Sequence, residues 1–233
     1  MGIEQNIIEI LQRIENAAKR VGRNKEEIIL IAVSKTHPVE KILKAKECGI
    51  NIFGENKAQE LVQKYPLVED VKWHFIGHLQ RNKVKYIIDK VEMIHSLDSI
   101  ELAQEIDKRA AKLNKKMQVL IEINIGKEES KSGIYEEDIF EFCKALAKYN
   151  NLTVSGIMTV PPVNTDISKT REYFKRMKLL FEEIKKLQYP NFNIKYISMG
   201  MTDDFEIAIE EGTNIIRIGT GIFGERNYMK EGQ

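Results

Sequence analysis

Three groups of residues stand where a chain could do chemistry. Lys35 lies two positions beyond the run Ile28-Ile29-Leu30-Ile31-Ala32-Val33. At the end of so apolar a strand an amine is partly desolvated, which disfavours its charge and leaves a fraction neutral and able to condense with an aldehyde. The alternative is an ordinary solvated or salt-bridged lysine. Arg217 interrupts Asn214-Ile215-Ile216-Arg217-Ile218-Gly219, where an inward guanidinium needs an acceptor to offset its desolvation. A ligand ring nitrogen would serve, and so would a carboxylate such as Glu122 or Asp203. The third group is small, hydroxyl-bearing and rich in glycine: Ser198-Met199-Gly200-Met201-Thr202-Asp203-Asp204 and Gly219-Thr220-Gly221. Backbone N–H groups in such loops can approach and donate to phosphate oxygens, with helix N-termini behind them. Taken singly, Ser198, Gly200 and Gly219 also read as turn and cap residues.

An alternation of strands and helices must bring these groups together. Apolar, strand-like runs cover 28–33, 51–53, 73–76, 92–95, 117–124, 153–158, 194–197 and 214–218, and amphipathic or charged stretches separate them, notably 99–113, 136–148 and 168–187. Continuous apolar runs are the mark of strands buried on both faces of a parallel sheet. About eight of them predict an α/β fold, a single (β/α)8 TIM-type barrel of one domain over 1–233. An extra N-terminal helix over 3–21 precedes it, with Ile3, Ile7, Ile10, Leu11, Ile14 and Ala18 at helical spacing and Gly22 as its stop. Such barrels place their sites on the loops after the strands and often hold phosphate after strands seven and eight. The loops carrying Lys35, Ser198 and Gly219 are therefore expected to converge. The stretch Pro161-Pro162-Val163-Asn164-Thr165-Asp166 after strand six is either a stiffened connection or a segment over the site.

Charge and composition narrow the partners. The 36 Lys and Arg residues nearly cancel the 35 Asp and Glu, so nothing pulls the chain toward nucleic acid or a membrane surface. Lys112, Lys115 and Lys116 read as solvated helix ends. Cys48 and Cys143 form neither a disulfide framework nor a zinc pattern. His74 and His78 have the spacing of a metal pair on a helix, but His74 belongs to a strand that points the two apart, so no metal is expected. Glu4 and Glu9 interrupt any signal-peptide pattern and no apolar run is long enough to cross a bilayer. The reading is a cytoplasmic protein, expected to be a monomer.

At these residues the sequence resembles the pyridoxal phosphate homeostasis protein family, the YggS/PROSC proteins of fold-type III, whose barrel resembles the alanine racemase N-terminal domain. The likeness runs nearly full length through Ala32-Val33-Ser34-Lys35-Thr36, Phe53-Gly54-Glu55-Asn56, His74-Phe75-Ile76-Gly77-His78-Leu79-Gln80-Arg81-Asn82-Lys83, Gly156-Ile157-Met158-Thr159, the Ser198–Asp204 stretch and Arg217-Ile218-Gly219-Thr220. Thr202 stands where many relatives have serine, and His78 where proline is frequent. The resemblance implies that pyridoxal 5′-phosphate (PLP, the vitamin B6 cofactor) is bound as a Schiff base on Lys35. It also implies that Arg217 faces the pyridine nitrogen, that Ser198, Gly219 and Thr220 hold the phosphate, and that Asn56 lies near the cofactor. Asn56 also reads as an N-cap with Gln59 completing a capping pattern. Met158 and Met199 are expected to line the pocket, although a methionine so placed is more often plain core packing.

Three functional readings remain. PLP enzymes use the protonated ring as an electron sink, and an arginine partner would keep the ring nitrogen unprotonated. A racemase further needs acid–base groups on both faces, which related enzymes draw from a second domain for which this chain has no residues after strand eight. The expectation is a protein that buffers, delivers or senses PLP, with PLP-dependent apo-enzymes as candidate recipients, and no catalytic residue. The alternative is a weak PLP-dependent racemase or lyase using Tyr65, Tyr86 or Tyr135. A phosphate-binding barrel enzyme of sugar metabolism without PLP is the third reading.

Overall fold

A computed structural model describes residues 2–163 and 166–225. Asn164 and Thr165, in the proline-containing loop singled out above, lie outside the described residues. The strands are β1 (Ile29–Val33), β2 (Ile52–Glu55), β3 (Lys72–Phe75), β4 (Met93–Leu97), β5 (Met117–Glu122), β6 (Leu152–Met158), β7 (Phe192–Ser198) and β8 (Ile215–Ile218). The helices are α1 (Ile3–Arg20), α2 (Val39–Glu47), α3 (Ala58–Lys64), α4 (Val84–Ile87), α5 (Ile100–Lys112), α6 (Ile139–Leu146), α7 (Ile167–Lys185), α8 (Phe205–Glu210) and α9 (Thr220–Phe223).

The eight strands run parallel and close in sequence order, with β1 paired to β8. This is the expected (β/α)8 barrel. Strands differ from their expected spans by one to a few residues. Strand β5 stops at Glu122 instead of continuing to 124, because Ile123 leaves the ladder for an isolated bridge to Ile134. The 136–148 stretch divides into a single 3-10 turn, Glu136–Asp138, and α6.

Alternation along each strand sorts side chains into two layers. Ile31, Met93, Leu120, Met158 and Ile215 fill the barrel lumen. Outward residues such as Phe53, Trp73 and Ile157 join Ile42, Leu61, Ile106 and Phe174 in the larger core between sheet and helices. Helix α1 buries Ile7, Ile10, Ile14, Ala17 and Ala18 and packs against α8 and α9. Leu11, expected on that face, is 47% exposed. Arg13 pairs with Glu206 at 2.7 Å, and Arg20 with Glu206 and Glu210 at 2.8 Å each; at this exposure each pair contributes about 0–1 kcal/mol. Gly22 has φ +67°, as a helix stop requires. Among the described residues no helix is long and apolar enough to cross a membrane.

Candidate functional site

A cleft of about 300 Å³ opens at the C-terminal ends of the strands. Lys35 after β1, Arg217 in β8, and Gly219 and Thr220 after β8 all line it, and so does Asn56 after β2. Five of the eight expected site residues thus meet in one place. A larger depression, about 580 Å³ beside Gln80, Arg81 and Glu105, sits on the outer surface among polar side chains and holds no buried cation.

Lys35 occupies the second position of a turn closed by the His37 N–H donating to the Ser34 carbonyl at 3.1 Å. The third position, Thr36, has φ +66°. His37 is buried, with its ring 4.9 Å from that of Phe223.

Arg217 is 3% exposed. Its Nη1 donates to Ser198 Oγ at 2.6 Å and its Nη2 to the Thr159 carbonyl at 2.9 Å. Neither Glu122 nor Asp203 is within ion-pair distance of it, so the internal salt bridge left open by the sequence is not what holds it. Burial lowers its pKa to about 10, against the pull of the Asp204 and Glu122 carboxyls; at neutral pH it keeps its charge.

Beneath Arg217 runs a buried polar chain. The Ser198 hydroxyl lies 3.1 Å from His95 Nδ1, and His95 Nε2 lies 2.9 Å from His74 Nδ1. Burial and the neighbouring His74 and Arg217 push His95 well below the ordinary imidazole range, and burial with Lys72 pushes His74 to about 4. Both rings are therefore neutral at pH 7, each with one donor and one acceptor. One proton arrangement satisfies every contact: Ser198 accepts from Arg217 and donates to His95 Nδ1, and His95 Nε2–H donates to His74 Nδ1.

Three expected residues stand elsewhere. Ser198 is fully buried with its hydroxyl engaged below Arg217, outside the cleft wall, where a phosphate contact had been expected. Met158 packs in the lumen cluster, and Met199 lies in the core between barrel and helices. The reason is alternation: in β7, Tyr196 packs toward the lumen cluster, so Ser198 follows it inward and Met199 turns out. Asn56 is not a helix cap. Helix α3 begins one residue later, with Lys57 in the cap position and no side-chain cap bond, and Asn56 Oδ1 is buried without a hydrogen-bond partner. That orphaned acceptor on the cleft wall is suited to a ligand donor. His74 and His78 point apart: His74 is buried against His95, whereas the exposed His78 pairs with Asp98 at 3.1 Å. Tyr65, Tyr86 and Tyr135 do not line the cleft.

The two phosphate-type loops do come together. Thr202 Oγ1 accepts from the Gly221 N–H at 3.2 Å, joining the β7–α8 loop to the start of α9. Asp204 Oδ1 accepts from the Met201 N–H at 2.6 Å. Gly200 has φ +94°, and a Cβ there would lie 2.6 Å from Ala208 Cβ.

Residues 6–227 match the family described as alanine racemase, N-terminal domain. A pyridoxal phosphate homeostasis protein of Aquifex aeolicus is 44% identical over 226 residues, covering 96% of this chain and 98% of its own. The chain belongs to this family. PipY of Synechococcus elongatus, solved with PLP bound, is 30% identical with TM-score 0.80, over 91% of this chain and 100% of its own. An alanine racemase of Clostridium difficile shares the fold at TM-score 0.71 and 19% identity, over 95% of this chain and 57% of its own.

Other lining groups escaped the sequence reading. These are Ile76 and Gly77 after β3 and Val160 after β6, which line the cleft beside Thr202 and Asp203 of the loop already expected there. The strand-end rule that found Lys35 applies equally to β3 and β6. Glu122, weighed only as an arginine partner, ends β5 with Oε2 buried and unpartnered.

Proposed function

We propose that this cleft binds PLP through Lys35 and that the chain serves intracellular PLP homeostasis. The observation that carries the reading is the meeting of an amine, a buried arginine whose hydrogen bonds among the described residues go to neutral acceptors, and two linked glycine-containing loops in one cleft of cofactor size. The relatives' name and the PLP-bound PipY support it.

The residues present fit the group. Lys35 would be the amine that holds the cofactor through its aldehyde. Arg217, supported by Ser198 and Thr159, is the donor for the ring nitrogen. Asn56 supplies its unpartnered acceptor, and Gly219, Thr220 and the Thr202 loop are the phosphate end. When bound, PLP supplies a reversible carbonyl and an electron-withdrawing ring. Because Arg217 keeps its proton at neutral pH, it favours an unprotonated ring nitrogen and so a weak electron sink.

We therefore read the protein as a holder and donor of PLP rather than an enzyme, working in the cytoplasm as a monomeric single-domain barrel with PLP-dependent apo-enzymes as recipients. No tyrosine of the three considered is at the cleft to act as an opposing base. The test is the visible spectrum with PLP, then borohydride reduction and peptide mapping of wild type and Lys35→Ala. A phosphopyridoxyl group on Lys35, absent from the variant, is expected. Label spread over surface lysines, or none, would overturn the reading, and chiral screening that found racemase turnover typical of this fold would overturn the non-enzyme part.

A further inference from the structure

The turn that presents Lys35 is strained and is held from outside the cleft. A positive φ at the third position of a turn favours Gly or Asn, and for a β-branched residue it is an outlier. Here that position is Thr36, at φ +66°. Something must over-determine the conformation.

The contacts that do so come from α3 and the end of β2. The Thr36 N–H donates to Glu60 Oε1 at 2.5 Å. The same carboxylate oxygen accepts from Lys64 Nζ at 2.8 Å. Lys64 Nζ also donates to Glu55 Oε1 and to the Ser34 carbonyl, each at 2.8 Å. Its three protons thus meet three acceptors. Glu55 Oε1 accepts in addition from the Ser34 hydroxyl at 2.6 Å. Both chain neighbours of Lys35 are therefore tied to one buried ammonium group and its two carboxylates.

Neither Glu60 nor Lys64 lines the cleft. Glu55 is fully buried and the Lys64 side chain is 7% exposed. Burying such charges is costly, and apolar side chains of similar size would join α3 to the barrel at least as well. What charged groups add is direction, through short bonds to specified atoms, and those atoms flank Lys35.

We infer that Glu60 and Lys64 are positioning residues for Lys35, holding the Ser34–His37 turn in the left-handed form at Thr36 that presents the Lys35 amine to an aldehyde ligand in the cleft. This rests on the PLP reading above and names the device that makes the lysine competent. Glu60 anchors the strained residue directly, and Lys64 fixes Glu60 and the turn's first carbonyl together.

The test uses the full chain as wild type, Glu60→Ala, Thr36→Gly and the double variant. Glycine adopts positive φ without penalty, so it removes the need for the anchor. Glu60→Ala is expected to weaken PLP binding about tenfold, the size of a lost hydrogen bond to a charged group, and to slow borohydride-trapped labelling of Lys35. In the Thr36→Gly background the same change is expected to cost less than about threefold. A role confined to packing α3 would give equal losses in both backgrounds, and that result, or no loss at all, overturns the inference. Glu60→Gln, which keeps an acceptor for the Thr36 N–H, is expected to fall between wild type and Glu60→Ala and serves if the alanine variant does not fold. Absence of any Lys35 adduct in wild type would sink the PLP reading separately. The clamp is then judged in the unliganded protein by hydrogen exchange of the Thr36 amide, where acceleration by Glu60→Ala supports it and unchanged exchange overturns it.

Discussion

Arg217 Nη1 lies 2.6 Å from the hydroxyl oxygen of Ser198, a group with no exposed surface. That contact makes Ser198 a support for the arginine, and it leads to a discriminating variant. Ser198→Ala leaves a buried guanidinium proton and the His95 Nδ1 acceptor unpaired, at about 1–3 kcal/mol each, read as a lower urea midpoint of the unliganded protein. Because the damage lies at Arg217, pyridoxal and pyridoxal phosphate should weaken by the same factor. A loss confined to the phosphorylated form in paired titrations would instead put the hydroxyl on the phosphate.

The buried imidazoles set an acid limb. His74 has its pKa depressed to about 4 in the folded state, against about 6.5 when unfolded. Below 6.5 the unfolded chain binds the extra proton, so the stability this histidine provides is complete above about 6.5 and is lost as pH falls toward 4. The full effect is on the order of 3 kcal/mol. His74→Asn keeps an acceptor near the Nδ1 position without a titrating group. Its urea midpoint should fall less steeply between pH 6.5 and 4 than that of wild type; identical slopes would mean that the ring is already protonated or solvated.

Glu122 works in the opposite direction. Burial, reinforced by Asp98 and opposed by Arg217, raises its pKa to about 7. The folded state then holds a proton that the unfolded chain releases above its ordinary 4.5. Its contribution is complete below that value and is lost as pH rises through 7, up to roughly 3 kcal/mol. Glu122→Gln should therefore gain on wild type between pH 5 and 8.5 in the same titration. A gap that does not change over that range would show an unshifted carboxyl.

Lys35 and Arg217 were legible because each breaks a pattern: a charge two positions past the end of an apolar strand, and a charge within one. The barrel followed from eight apolar runs at regular spacing. Ser198 was legible in principle, since counting by twos from Tyr196 puts it in the lumen and Met199 outside. The capping alternative for Asn56 fails because helix α3 starts one residue late, while the amide stands on the cleft wall. The Glu60–Thr36 contact was not legible. It joins residues 24 apart and depends on a backbone angle that threonine does not advertise.

Gly156 gives the sharpest test of how the barrel supports its site. With φ +156°, it lies where the β6–β7 register shifts, and a Cβ there would come within 1.8 Å of the Tyr196 carbonyl oxygen. Backbone atoms cannot yield as a flexible side chain does, so Gly156→Ala must part β6 from β7. The same strand pair ends at Met158 and Ser198, and the Thr159 N–H donates to the Ser198 carbonyl at 3.1 Å; parting the strands loosens both acceptors of Arg217. We expect a loss of about 3 kcal/mol or more, and since each kcal/mol moves Tm by about 2–4 °C in a chain of this size, a drop near 10 °C. Gly49→Ala is the control. Gly49 has φ +91° with open space around its position, so the substitution should cost only the left-handed penalty, about 1–2 kcal/mol. Equal melting shifts for the two variants would mean that φ alone, and not the close approach of β6 to β7, makes glycine necessary at 156.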